Sequence, residues 1–290
     1  MLFIREARGA DFERVYPLLL EFKNPHLSKE HWRQLFIDHS RLQNDHFGWV
    51  LFDDDNVVGF VGTILSERTI RGETVRFCNT TSWIVKHEYR AHSLTLHAKV
   101  TSDKSVAVTN LSPTPQVLKL LGKLGFTLMD KSERIILPVP TLQMFRDRCQ
   151  VLTEANAVER ALRGESLRFF QDHQLHHNHH ILLRTSVGDC YVMMNRTLKR
   201  VSRSVLLPFA RVHHIGAPDI FARQLAKLAM RIAVSFRTVA IIVDDRMLHG
   251  VAPWHSFMRP EGKRNAAFRS DKLTADDIDG LYTEAVLLNY

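Results

Sequence analysis

The run Trp83-Ile84-Val85-Lys86-His87-Glu88-Tyr89-Arg90-Ala91-His92-Ser93-Leu94-Thr95 joins the end of an apolar strand pattern to the start of a helix through a short basic loop. The first turn of a helix carries main-chain N–H groups without helical partners and the positive end of the helix dipole. A diphosphate fits such a place with little help from side chains, and Arg90 adds a permanent charge beside it. The chemistry that suits this loop is the binding of a phosphorylated cofactor. A base for proton removal would come from the same neighbourhood. Glu88 is the candidate, although a solvated loop carboxylate is the commoner role for a residue so placed.

Three other clusters invite chemical readings. His173, His176, His177, His179 and His180 would present i, i+4 pairs on a continuing helix, a spacing that can hold zinc. No glutamate stands between them as in a zinc-protease motif, and Asn178 signals a helix end, so a polar helix terminus is the simpler account and no metal site is assigned. Arg196, Lys199, Arg200 and Arg203 read as a solvated hairpin tip; with few interleaved aromatics they do not form a nucleic-acid platform. Asp244-Asp245-Arg246 closes an apolar strand, and Gly250, Pro253 and Gly262 mark a surface loop.

The elements that must position these residues follow from periodicity. Leu2 to Arg5 reads as an opening strand. Phe12, Val15, Leu19 and Phe22 form a helical stripe. Asn24-Pro25 breaks that helix, and Ser28 caps a second one carrying Trp32, Leu35 and Phe36. Strands are expected at Trp49 to Phe52, Val57 to Leu65 and Val75 to Val85, then a helix from His92 to Ser102 and a strand from Ser105 to Val108. A helix opened by Pro113 and Pro115 and stopped by Gly125 follows. Phe126 to Met129 and Arg134 to Leu137 suit two further strands.

Pro138-Val139-Pro140 is the linker candidate, dividing a unit of residues 1–140 from one of 141–290. The second unit reads as a helical segment from Thr141 to Gln171, strands flanking Gly188-Asp189, a strand from Leu206 to His214, a helix from Pro218, a strand from Thr238 to Val243, and a closing strand from Glu284 to Asn289. This order echoes residues 1–110 and suggests a diverged duplication.

Val85, Glu88, Tyr89 and Arg90, with Asn110 after the next strand and Leu120-Leu121-Gly122-Lys123-Leu124-Gly125-Phe126 ending the following helix, resemble the GNAT superfamily of acyl-CoA-dependent N-acyltransferases. The resemblance covers residues 2–137. It implies an α+β fold with a GNAT-like first unit and a second, degenerate GNAT-like unit. It further implies acetyl-CoA or another acyl-CoA as co-substrate, and a small-molecule or amine-bearing acceptor. The main chain of Ile84 and Val85 would meet the pantetheine. Arg90, Ala91, His92, Ser93, Leu94 and Thr95 would present amides to the pyrophosphate. Asn110 would bond the pantetheine arm or the acyl region. Ser93 and Thr95 replace the small residues of the family pattern, and Leu121 stands where many members carry a tyrosine general acid. The alternative is a non-catalytic relative that binds a metabolite or protein.

Composition is compatible with either role. The 290 residues are 45% hydrophobic and 24% charged, and the net charge of +8 comes mostly from residues after Phe145. No run of about 18 apolar residues offers a membrane span, and the N-terminus lacks the long apolar core of a signal peptide. Three widely spaced cysteines suit a reducing, cytoplasmic setting.

Overall fold

The computed structural model describes residues 1–141, 144, 148–175 and 177–289, with the side chains of residues 131 and 260–265 left aside. The first half runs β1 (Leu2–Arg8), α1 (Phe12–Leu19), α2 (Lys29–Arg33), β2 (His46–Asp53), β3 (Asn56–Ile70), β4 (Glu73–Val85), a 3-10 turn (His87–His92), α3 (Ser93–Val100), β5 (Ala107–Asn110), α4 (Pro115–Lys123) and β6 (Thr127–Ile136). The second half runs β7 (Cys149–Leu152), α5 (Ala155–Ala161), α6 (Gly164–Asp172), β8 (Asn178–Thr185), β9 (Gly188–Arg200), β10 (Leu206–Ile215), α7 (Pro218–Phe236), β11 (Ala240–Asp244), β12 (Ser256–Arg269) and α8 (Glu284–Leu287).

Among the described residues all strands join one sheet, in the order β1-β2-β3-β4-β5-β12-β6-β11-β10-β9-β8-β7. The order is a palindrome of two equivalent halves. Each half is an antiparallel meander followed by a parallel neighbour: β5 beside β4, and β11 beside β10. Each half then takes its next strand from the other, so that β12 lies against β5 and β6 lies against β11. The duplication suspected from element order is therefore present in the sheet. The chain boundary near residue 140 falls between β6 and β7, but the sheet does not divide there.

Several elements differ from expectation for physical reasons. Asp130 to Glu133 separates the two expected strands because it is polar, yet β6 runs straight through it, paired with β12. Its charges are matched across the join: Glu133 accepts from Arg211 at 2.7 Å and Arg259 at 3.0 Å, and Arg134 pairs with Asp245. β12 is expected as a loop because Gly250 and Pro253 stand just before it and Gly262 within it; the strand absorbs Gly262 in a register shift between Met258 and Lys263. The span 141–171 is not one helix, since β7 occupies Cys149–Leu152 and Gly164, at φ 56°, separates α5 from α6. Residues 142, 143 and 145–147 of that span lie outside the described residues. The segment 284–289 is helical at its start rather than a strand.

Other signals hold. Phe12, Val15 and Leu19 are buried, and Gly125 takes φ 80° just past α4 while the Phe126 amide donates to the Leu121 carbonyl. Gly48 is required by close approach, because a Cβ there would stand 2.1 Å from the Val61 carbonyl oxygen on β3.

Residues 1–140 expressed alone lose β12 from the edges of both β5 and β6. That fragment is expected to aggregate, and co-expression with 141–290 to restore a soluble complex, read by size-exclusion chromatography.

Candidate functional site

β4 and β5 pair over only three positions, Phe77 to Asn79 against Ala107 to Thr109. Beyond Asn79 the strands part, and among the described residues no strand pairs with the edge of β4 from Thr80 to Val85 on that side. On its other side it stays bonded to β3, through Thr81, Ile84 and Val85 opposite Gly62, Phe60 and Gly59. The register shifts inside that stretch, and Ser82 adopts a left-handed φ of 50°. The fork thus frees main-chain polar groups beside a bulged strand, a form of irregularity that concentrates next to functional sites.

A cleft of about 270 Å³ opens at this fork. One wall is Thr80 to Trp83 of β4, and the opposite wall is Asn110, Ser112 and the start of α4. The α1–α2 connection supplies Phe22, Asn24 and Leu27, α2 supplies Trp32, and Leu288 from the C-terminal segment closes one side. Local sequence fixes each part. Ser28 caps α2 by accepting from the His31 amide, which sets the turn that carries Trp32. Trp32 is buried and stacks on Phe22, with ring centroids 5.8 Å apart. Thr114 caps α4 by accepting from the Val117 amide, with Pro115 in its first turn.

A buried polar network holds the vertex of the fork. Glu284, 2% exposed, accepts from Asn79 Nδ2 at 2.7 Å through one oxygen and from the Ser112 hydroxyl through the other. Thr109 Oγ1 donates to Asn79 Oδ1 at 3.1 Å, and Thr80 Oγ1 donates to the Thr109 carbonyl at 3.0 Å. Glu284 lies over two hundred residues from Asn79 in sequence, so no spacing pattern reveals it. The one available signal was the placement of a charged residue in an apolar C-terminal run.

The residues singled out in the sequence separate into two groups. Asn110 is buried, ends β5 and lines the cleft. Ile84 and Val85 lie half-buried on the unpaired edge that leads from the cleft toward α3. The loop beyond them is not open: it winds as a 3-10 turn straight into α3. The Tyr89 amide donates to the Lys86 carbonyl and the Ser93 amide to the Arg90 carbonyl. The Ser93 amide is consequently already used. Arg90, Ala91, Leu94 and Thr95 are exposed there, and His92 and Ser93 half-buried. Glu88 is exposed on the same turn and does not line the cleft. Leu121 is fully buried among Val108, Phe126 and Leu96. Cys78 is buried too, its thiol pushed up to about 12 by desolvation, which makes it inert.

The second half repeats the fork and fills it. β10 and β11 also pair over three positions, Phe209 to Arg211, with a register shift just beyond at Val212. The space left there is only about 60 Å³ and is lined by Glu133, Arg211, His213, Asp279 and Glu284 among others. The C-terminal segment and the β3–β4 hairpin close it. Asp279 accepts from Arg68 at 2.7 Å and lies 3.0 Å from His214 Nδ1. Burial alone would raise the Asp279 pKa, but Arg68 and His214 outweigh it and hold the carboxyl well below the usual range.

The histidines near residue 175 are spent on structure. His173 Nδ1 and Nε2 lie 2.7 and 2.8 Å from the Phe169 and Leu281 carbonyl oxygens, and His177 Nε2 lies 2.6 Å from that of Val286. His180 lies between the Tyr191 hydroxyl and the His173 carbonyl. His173 and His177 thereby tie the C-terminal segment to the end of α6. His176 lies outside the described residues, and among the described residues no group of three ligands is placed to hold an ion. Of the basic run, Arg196, Lys199 and Arg200 lie on β9, paired with β10, and Arg203 alone stands in the exposed tip between the two strands. No described helix is long and apolar enough to cross a membrane.

No protein-family model and no curated protein sequence matches the chain. Solved structures do. A GCN5-related N-acetyltransferase from Anabaena variabilis aligns over 93% of this chain and 72% of its own, with TM-score 0.59 and 11% identity. Another from Kribbella flavida aligns over 93% and 71%, with TM-score 0.58 and 14% identity. The glucosamine N-acetyltransferase region of a fungal multi-domain β-N-acetylglucosaminidase aligns over 93% of this chain and 38% of that one, with TM-score 0.59 and 13% identity. This chain has the GNAT fold, in tandem. Coverage of 93% carries each likeness across both halves. The GNAT fork of the first half is open and that of the second is filled.

Two outcomes follow from these environments. Glu284→Ala leaves Asn79 and Ser112 without their buried partner and is expected to lower stability by about 2–4 kcal/mol in urea unfolding, with Glu284→Gln losing less. His97 and His180 are both held at about 4 by burial, below the ordinary value of about 6.5. The unfolded chain therefore binds protons that the native one refuses as pH falls. Stability should be unaffected by these rings above pH 6.5 and decline from there toward pH 4, by up to about 1.4 kcal/mol per pH unit for each. His97→Phe should flatten that decline in denaturant midpoints measured across the range.

Proposed function

We propose that the first-half fork binds an acyl-CoA and passes its acyl group to an amine in the cleft. The observation that carries this reading is the parting of β4 from β5 after Asn79, beside a cleft floored by hydroxyls and amides. The free edge from Thr80 to Val85 offers main-chain donors and acceptors to the amides of a pantetheine arm, and Asn110 adds a side-chain amide at its mouth. The likeness to N-acetyltransferases supports the same assignment.

The diphosphate would rest beside the turn from His87 to His92. Because that turn is wound into α3, side-chain charge carries more of the grip than main-chain amides do. Arg90 is exposed there, with Lys86 and His92 close in sequence. Acyl-CoA supplies an activated carbonyl and a thiolate leaving group that departs with little help. Loss of the tyrosine acid at Leu121 is therefore compatible with turnover.

A second reading, a binding module without turnover, draws support from the same two features, Leu121 buried in the core and the Ser93 amide already bonded. Acetyl-CoA bound with no transfer across an amine panel would favour it.

Isothermal titration should show acetyl-CoA binding to the intact chain. Arg90→Ala is expected to weaken that binding roughly tenfold, the equivalent of one charged hydrogen bond of about 1.5 kcal/mol. No heat at millimolar acetyl-CoA would overturn the assignment.

A further inference from the structure

The described residues lining the first-half cleft include hydroxyl, amide and apolar side chains but no charged one. Glu284, at the vertex of the fork, is not among the lining residues; one of its oxygens accepts from the Ser112 hydroxyl and the other from Asn79. Glu88 is exposed outside the cleft, and the position of a tyrosine acid is a buried leucine. Among the described residues, the cleft therefore offers neither a counter-ion for an ammonium group nor a side chain to strip its proton.

An uncharged wall selects against cations, since removing a charge from water without a partner is costly. An alkyl amine with a pKa like that of lysine, about 10.4, is neutral in only roughly one molecule in 10³ at pH 7. An aromatic amine is different, because its lone pair is delocalised into the ring and it is neutral at that pH. The walls suit the ring: Phe22 and Trp32 stack at 5.8 Å on one side, and Trp83 stands on the other. The volume of about 270 Å³ falls just under the roughly 300–1,000 Å³ of pockets for drug-sized ligands, so one ring with a short acyl group fills it.

We propose that the acceptor is a weakly basic aromatic amine, taken up in its neutral form. This rests on the acyl-transfer reading of the cleft. The nitrogen lone pair forms the bond to the thioester carbonyl carbon, the carbon–sulfur bond breaks, and the proton lost by nitrogen ends on the departing sulfur. Nitrogen in such an adduct is strongly acidic, so neither a general base nor a general acid is required. The uncharged walls, the exposed Glu88 and the leucine at 121 then have one common explanation.

The test uses the full chain with acetyl-CoA and two probes, p-toluidine and n-butylamine. Thiol release is followed between pH 6.5 and 8.5, and tryptophan fluorescence is titrated with each amine in the presence of CoA. The expected result is p-toluidine acetylation at least about 100-fold more efficient than that of n-butylamine at pH 7, flat across the pH range, with saturable fluorescence quenching by p-toluidine. Phe22→Ala, at a half-exposed position, should raise KM for p-toluidine with little change in kcat while the thermal midpoint is retained. Equal or faster acetylation of n-butylamine overturns the proposal. So does acetyl-CoA binding in titration calorimetry with neither quenching nor acetylation of p-toluidine. Absence of acetyl-CoA binding sinks the acyl-transfer reading itself, a separate failure that the calorimetry identifies.

Discussion

The carboxylate of Glu284 is the constraint on which the open cleft depends. Two strands that stop pairing leave polar main chain with nothing to bond, and such a fork in a protein interior would be expected to collapse or fill. Here the vertex is pinned by a charged group that is buried and bonded on both oxygens, to Asn79 of β4 and to Ser112 just past β5. The anchor comes from the far end of the chain. A segment folded as part of the second half therefore sets the shape of the cleft in the first. Leu288, one turn further on, becomes part of the cleft wall.

The same exchange governs the sheet. Because β6 and β12 cross over, neither half can complete its sheet alone, and the central strands are the ones with matched charges. Glu133 and Arg211, both buried, and the half-buried Arg259 form an ion cluster where the halves meet. A buried ion cluster of this kind is weak evidence for stability but fits a role in fixing register, since a slip would leave each charge without its partner. The two forks differ in what occupies them. The second fork keeps the three-residue pairing of the first, yet Arg211 stands at the fork position held by Asn79, and Asp279 with Arg68 and His214 occupies the mouth.

Local signals in the sequence reached as far as local physics does. Ser28, Thr114 and Gly125 cap their helices through contacts within three or four residues, so their roles were legible. The meander from Trp49 to Val85 was legible from its alternation and turns. What depended on distant contacts was not. Polar residues of β6 looked like a break between two strands because their partners lie on β10, β12 and the segment after β11. The strand β12 was hidden by Gly250 and Pro253 just before it and by Gly262 within it, which a register shift accommodates. In the candidate site, Asn110 and the unpaired edge at Ile84 and Val85 followed from motif position, whereas Glu284, Trp32, Phe22 and Leu288 reach the cleft only through tertiary folding. The open loop expected before α3 was replaced by a 3-10 turn, since the residues from His87 to His92 include no glycine to hold the main chain away from helical winding.

The central claim is that the first fork, and not the second, is a ligand cleft. Amide hydrogen exchange of the intact chain with and without saturating CoA tests it directly. Slower exchange is predicted at Thr80 to Val85 and along the turn from His87 into α3, with no change at Val212 to Ile215. Protection centred on the β10–β11 fork, or none at either, would contradict the account.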